Sequence, residues 1–239
     1  MTRGLGRHLS RTKAHRDALL RNMATQLLQH GTIMSTTPKL KETQKYVERI
    51  ITIAKHGVQN GTPQKSIPEL QSRLYLSGDN SNLLKKLFEE IVPRYISRDG
   101  GYTRVMKVEP RLSDRAPQGI LELVDAPVQS SDGQLLKGNM KLWLLTKNCM
   151  QQIEEEGQKL TPNTVKNLKK MTHNKSVDEL MVDIGVVRKY LIEAAEPEGE
   201  FNEEKHKALL ETVKNEILNF SAPKQEQLGY KFVERPTQQ

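Results

Sequence analysis

The 239-residue chain holds one cysteine, Cys149, so it can close no internal disulfide and build no cysteine-cluster metal site. Aromatic residues make up 5% and hydrophobic residues 36%, a lean supply that predicts modest cores yet stays above a disordered composition. No run approaches the ~18 apolar residues of a membrane-crossing helix, and the start lacks the apolar block of a secretory signal, so neither membrane insertion nor secretion is expected. The histidines, His8, His15, His30, His56, His173 and His206, never pair at metal-ligand spacing with one another or with acids. Gly100 and Gly101 lack the further glycines, Lys and Ser/Thr of a phosphate loop, and Glu154, Glu155 and Glu156 read as a solvated helix end. With no nucleophile or general base singled out, the expectation is no enzyme, no cofactor, no metal and no small-molecule substrate.

Acids are nearly missing from the start, where Arg3, Arg7, Arg11, Lys13, Arg16 and Arg21 face Asp17 alone. Residues 1–125 hold 21 Lys/Arg against 12 Asp/Glu and residues 126–239 hold 16 against 17, so the net +8 is +9 in front and −1 behind. A polyanion is the natural partner of the front half. The same Arg-rich opening also suits a mitochondrial targeting segment.

Residues 1–12, with Gly4 and Gly6 between spaced arginines, read as a basic extended arm. From about Thr12 a helical stripe of Leu20, Met23, Ala24, Leu27 and Leu28 runs to a Gly31 cap, with Arg16, Arg21, Asn22, Thr25 and Gln29 away from it. Residues 32–36 predict a brief strand. Thr37 and Pro38 predict a capped helix start, with Leu40, Val47, Ile50, Ile51 and Ala54 buried and Gly57 at its end. Lys41, Lys45 and Arg49 recur every four residues, roughly 6 Å apart on one ridge that suits a phosphate backbone and equally a plain solvated face. Residues 56–68 read as a loop, 69–76 and 81–92 as short helices, the second stopping before Pro93, and 102–108 and 119–124 as strands.

Past Ala126 the character changes. Residues 126–136 read as a linker and 137–220 as a helical extension, with Leu142, Leu145 and Ile153 on one helix and Thr161 with Pro162 opening another. Ser176 with Glu179 predicts a capping box, Asn202 opens the last helix, and 221–239 reads as a loose tail. Cys149 falls in an apolar pattern and is assigned to packing.

Three segments then resemble the L-seventeen family of bacterial-type large-subunit ribosomal proteins. The first is Leu9, Ser10, Arg11 and the run from His15 to Asn22, with Leu27 and His30. The second holds Ile33, Thr36, Thr37, Lys39, Lys41, Glu42, Ile50, Ile51, Thr52, Ala54 and Lys55. The third holds Ser97, Arg98, Gly100, Gly101, Tyr102, Thr103, Arg104, Lys107, Arg111, Asp114, Ala116, Pro117 and the Glu122-Leu123-Val124-Asp125 ending. Ser113 stands where the family usually has glycine, and the stretch from His56 to Asn82 is longer and less similar. The resemblance implies an α+β fold: over 13–125 a two-layer α/β domain with a small mixed sheet and about four helices, which binds ribosomal RNA, followed by a mostly helical C-terminal extension. The additional 114 residues resemble the extensions of mitochondrial ribosomal proteins, of fungal type, which implies the mitochondrial matrix rather than the bacterial cytoplasm.

The residues expected to touch RNA fall into two regions. Arg3, Arg7, Arg11, Lys13, His15, Arg16, Arg21 and Asn22, with Lys39, Lys41, Lys45 and Arg49, form the first; Arg98, Tyr102, Thr103, Arg104, Arg111 and Arg115 form the second. Arginine suits the task because its fork bonds phosphate bidentately. Tyr102 can either stack on an unpaired base or pack within the sheet. Residues 137–218, amphipathic and near neutral, better suit neighbouring large-subunit proteins than RNA. The competing classes are an RNA-processing enzyme and a basic nucleic-acid-binding regulatory module.

Overall fold

A computed structural model describes residues 6–130, 133–136, 138–155, 159–173, 175–195 and 202–220. Arg3 and the expected tail at 221–239 lie outside the described residues. The first helix, α1 (Lys13–His30), stops because Gly31 turns left-handed at φ 80, which lets its N–H reach the Leu27 carbonyl. Ala24, Leu27 and Leu28 are buried as the stripe requires. Thr25, expected to lie away from the stripe, is buried too. Its hydroxyl donates to the Arg21 carbonyl at 2.9 Å and accepts the Tyr75 N–H at 3.1 Å, so the polar group is satisfied inside.

Strand β1 (Thr32–Thr36) leads into α2 (Thr37–Gln59), whose Leu40, Val47, Ile50, Ile51 and Ala54 have no exposure. Thr37 does not cap this helix. Its hydroxyl donates across to the Pro117 and Gln118 carbonyls at 3.3 and 3.2 Å, and Thr36 takes the cap position. Nor does Gly57 end it: the helix runs on to Gln59, and Gly57 is where the next helix, α3 (Pro63–Arg73), packs closest.

That next helix overturns the loop expected over 56–68 and the short helix over 69–76. Pro63 sits in the first helical turn, where a missing N–H costs nothing, and Pro68 is carried inside, so the prolines that read as breakers are helical. A similar error concerns Pro93. Segments α4 (Leu83–Lys86) and α5 (Val92–Arg94) are joined by a π turn, Leu87–Ile91, and the Val92 N–H reaches back to the Leu87 carbonyl. The widened turn admits Pro93 instead of ending before it.

Strands β2 (Thr103–Val108) and β3 (Gln118–Leu123) complete a three-stranded sheet in the order β1-β3-β2. Every pairing in it is antiparallel, so the sheet is not mixed; a hairpin makes β2 and β3 neighbours, and β1 adds to the free side of β3. Gly119 on β3 faces Leu40 of α2, where a Cβ would meet the Met106 carbonyl at 2.7 Å. Leu121 and Leu123 join the helices in one core with Tyr95 and Tyr102. The opposite face carries Met34, Ile120 and Met106 in register, and beside them Thr32, Glu122 and Arg104.

The segment expected as a linker packs instead of hanging free. Ala126 and Val128 are buried, and Gln129 pairs with Leu135 in an isolated antiparallel bridge. Beyond it, α6 (Met140–Met150) continues in a π turn, Gln151–Glu155, and α7 (Pro162–Met171), α8 (Val177–Ala195) and α9 (Glu203–Asn219) follow. The caps are those the sequence predicts. Thr161 and Asn202 accept the N–H groups of Thr164 and Lys205, and Ser176 and Glu179 exchange bonds at 3.2 Å each. A second core forms here around Leu142, Cys149, Leu168, Ile184 and Val213, with Trp143 edge-on to Tyr190. Together the two regions give an α+β fold with a helical C-terminal part.

Candidate RNA-binding surface

Among the described residues of the first half the exposed Lys and Arg are Arg7, Lys13, Lys41, Lys45 and Arg49 on α1, α2 and the turn before α1, and Lys65, Lys85, Lys107, Arg111 and Arg115 elsewhere. Residues 6–12 form no regular element, but they do not hang free. Leu9 and Ser10 have positive φ of 53 and 55, and the Arg11 N–H closes on the His8 carbonyl at 3.2 Å. Arg7 sits 3.8 Å from Glu42 of α2 and stays half exposed. Arg11 spends one guanidinium nitrogen on the Leu9 carbonyl at 2.9 Å, while its Nε is buried with no partner among the described residues.

On α1, Lys13, His15 and Asn22 are exposed, and Arg16 and Arg21 are half-buried, with the Arg21 guanidinium 5.9 Å from the Tyr75 ring centre. On α2, Lys41, Lys45 and Arg49 are all exposed on the ridge opposite the buried stripe, and Lys39 at its foot is half-buried. Because α1 packs against α2, the turn, the start of α1 and the α2 ridge belong to one packed unit.

The second expected region is different, because the fold itself uses four of its six residues. Tyr102 is 3% exposed, its ring 5.1 Å from that of Tyr95 and beneath the Lys55 ammonium, so it packs in the core and offers no face to a base. Thr103 is buried and donates its hydroxyl to Glu48 at 2.9 Å. Arg98 holds Asp125 at 3.0 Å, and Arg104 holds Glu122 at 2.7 Å. Glu122 is fully buried, and that burial pushes its carboxyl above the usual value despite the opposing pull of Arg104 and the Lys141 N–H.

Arg111 and Arg115 remain exposed in the turn between β2 and β3. Arg111 pairs with Asp114 at 3.1 Å, the Ala116 N–H donates to the same carboxylate, and Leu112 between the arginines is 90% exposed. Sequence reasoning missed the acids that occupy the second region. Glu122 and Asp125 were visible in the Glu-Leu-Val-Asp ending, but sequence spacing alone gives no sign that Glu122 faces Arg104 across the strands or that Asp125 meets Arg98 ahead of β2.

Among the described residues no group of three or more His, Cys, Asp or Glu is placed to hold a metal ion, and no helix is long and apolar enough to cross a membrane. Cys149 is buried, and burial raises its thiol to about 12.

Two protein-family matches divide the chain. Residues 19–124 match the family described as Ribosomal protein L17, and residues 126–236 match the 54S ribosomal protein L8 C-terminal domain. The large ribosomal subunit protein bL17m of Schizosaccharomyces pombe is 45% identical over 121 residues, 51% of this chain and 56% of the relative. That of Neurospora crassa is 48% identical over 122 residues, 51% of this chain and 59% of the relative. The bL17 protein of Chlorobaculum tepidum is 42% identical over 144 residues, 56% of this chain and 86% of the relative. The matched stretch thus spans little more than half the length of the two fungal relatives.

Proposed function

The chain belongs to the ribosomal protein L17 family, and from that premise we propose that it is a structural constituent of the mitochondrial large ribosomal subunit, binding large-subunit ribosomal RNA to support translation. The observation that carries the reading is the exposed ridge of Lys41, Lys45 and Arg49 on α2, the helix whose Glu42 holds Arg7 of the basic N-terminal turn. A ridge of cations with no acid paired to it among the described residues suits a phosphate backbone. Arg7, Arg11, Lys13, His15, Arg16, Arg21, Asn22 and Lys39 extend that surface, and Arg111 and Arg115 make a smaller contact at the hairpin tip. Tyr102 and Thr103 are left out of it because they are buried. The mitochondrial assignment draws support from the match of residues 126–236 and from the two fungal relatives.

The protein acts by position and charge, not by chemistry. Neighbouring ribosomal proteins are proposed partners of the helical extension. Sedimentation of a cell lysate tests the reading: the chain should run almost wholly with the large subunit, and a chain found mainly outside ribosomal fractions would overturn it. An RNA-processing enzyme or a basic regulatory module predicts that second distribution.

A further inference from the structure

The near-neutral charge of the second half conceals a segregation. Residues 137–175 carry eight Lys against three acids, and residues 176–216 carry eleven acids against five Lys or Arg. Helix α7 has Lys166, Lys169 and Lys170 and no acid. Thr164, Val165, Leu168 and Met171 are its buried side, so Asn163, Lys166, Asn167 and Lys170, spaced three and four apart, form a ridge facing away from the core. Lys166 and Lys170 are exposed on it. Lys169 is engaged elsewhere, donating to the Phe220 carbonyl and lying 5.6 Å from that ring's centre.

The ridge does not end at the edge of its own helix. Asn167 accepts the Lys141 ammonium at 3.0 Å, which brings a cation of α6 onto it. The Lys141 backbone N–H donates to Glu122, whose other oxygen takes Arg104 of β2. Burial first, then the nearby charges of Arg104 and Lys170, hold the Lys141 ammonium below the usual lysine range against the pull of Glu122. Lys141 thus joins the α7 ridge through Asn167 and, through its backbone N–H on Glu122, sits next to Arg104 of β2.

We propose that the α7 ridge of Lys166 and Lys170, continued by Lys141 and Arg104, binds the phosphate backbone of RNA, so that the C-terminal extension shares the RNA contact of the first half. Continuity with Arg104, in the half that carries the +9 excess, favours phosphate over an acidic protein. The inference rests on the RNA reading above and adds a surface to it.

The test uses the full chain and purified large-subunit ribosomal RNA, with affinity measured against salt for three proteins: wild type, Lys166→Ala with Lys170→Ala, and Lys41→Ala with Lys45→Ala and Arg49→Ala. Each phosphate contact contributes roughly 0.7 to 0.9 to the slope of log affinity on log salt, so the α7 variant should lose about 1.4 to 1.8 of it. Equivalently, the wild-type advantage over it narrows roughly tenfold between about 50 and 200 mM salt. An α7 variant with the wild-type slope, beside an α2 variant that loses its share, overturns the inference and leaves the proposed function standing. A wild-type chain with a flat salt response overturns both.

Discussion

The Glu122 carboxylate receives the Arg104 guanidinium at 2.7 Å on one oxygen and the Lys141 backbone N–H at 3.1 Å on the other. One buried acid therefore joins the outer strand of the sheet to the first turn of the first helix of the extension. An acid at a helix start is well placed, because the first turn presents unpaired N–H groups and the positive end of the helix dipole.

Replacing Glu122 with Gln should lower stability by about 1 to 3 kcal/mol, since an amide can accept from only one of the two donors and must point its own N–H groups at the other. Urea denaturation measures it. The carboxyl is raised above its ordinary 4.5 by burial, so the folded chain holds this proton more tightly than the unfolded one. Its stabilising share is then complete below pH 4.5 or so and is lost as pH rises through the folded value. The wild-type advantage over Glu122→Gln should shrink with rising pH and then level off; an advantage that grows would show that Arg104 outweighs burial.

The α2 ridge should separate binding from folding. Changing Lys41, Lys45 and Arg49 to Ala removes exposed cations, so stability should move by no more than about 0.5 kcal/mol per site while incorporation into the large subunit falls. Comparing thermal melts with the fraction of protein in particles decides this. A collapse of the fold would make the ridge structural.

Gly57 leaves no free room for a side chain. A Cβ there would lie 2.5 Å from the Ser66 hydroxyl oxygen and 3.2 Å from the Ser66 Cβ, so Ser66 of α3 would have to shift. Gly57→Ala should cost about 1 to 3 kcal/mol by overpacking, and adding Ser66→Ala should recover part of that. Equal losses in the single and double variants would show that the Ser66 contact is not the cause.

Cys149 reports on the extension. Fully buried, with a thiol raised to about 12, it should react with a disulfide reagent at neutral pH only when the second core opens. Labelling should be slow in buffer and rapid in denaturant. Fast labelling of the native chain would contradict the packing around it.

Some local signals were read from the chain, whereas contacts between residues distant in sequence were not. The cap at Gly31, the Ser176 and Glu179 box and the buried stripe of α2 each depend on residues within a few positions, where spacing dictates geometry. Pro63 and Pro68 misled because a proline is a breaker only outside the first turn or where the lost N–H has no compensation, and the contact of α3 with α2 supplies it. At the surface, the cations of α1 and α2 were legible as charge. The engagement of Arg98, Tyr102, Thr103 and Arg104 depended on Asp125, Tyr95, Glu48 and Glu122, partners 7 to 55 positions away along the chain.

Gly31 and Gly138 approach so closely that a Cβ on the first would lie 3.2 Å from the Cα of the second, and a Cβ on Gly138 would lie 3.0 Å from that of Ala126. Residues 31, 122 and 126 all leave the synthesising machinery before residue 138. A chain made from its N-terminus presents residues 31, 122 and 126 ahead of residue 138, so the extension can dock against them as it emerges.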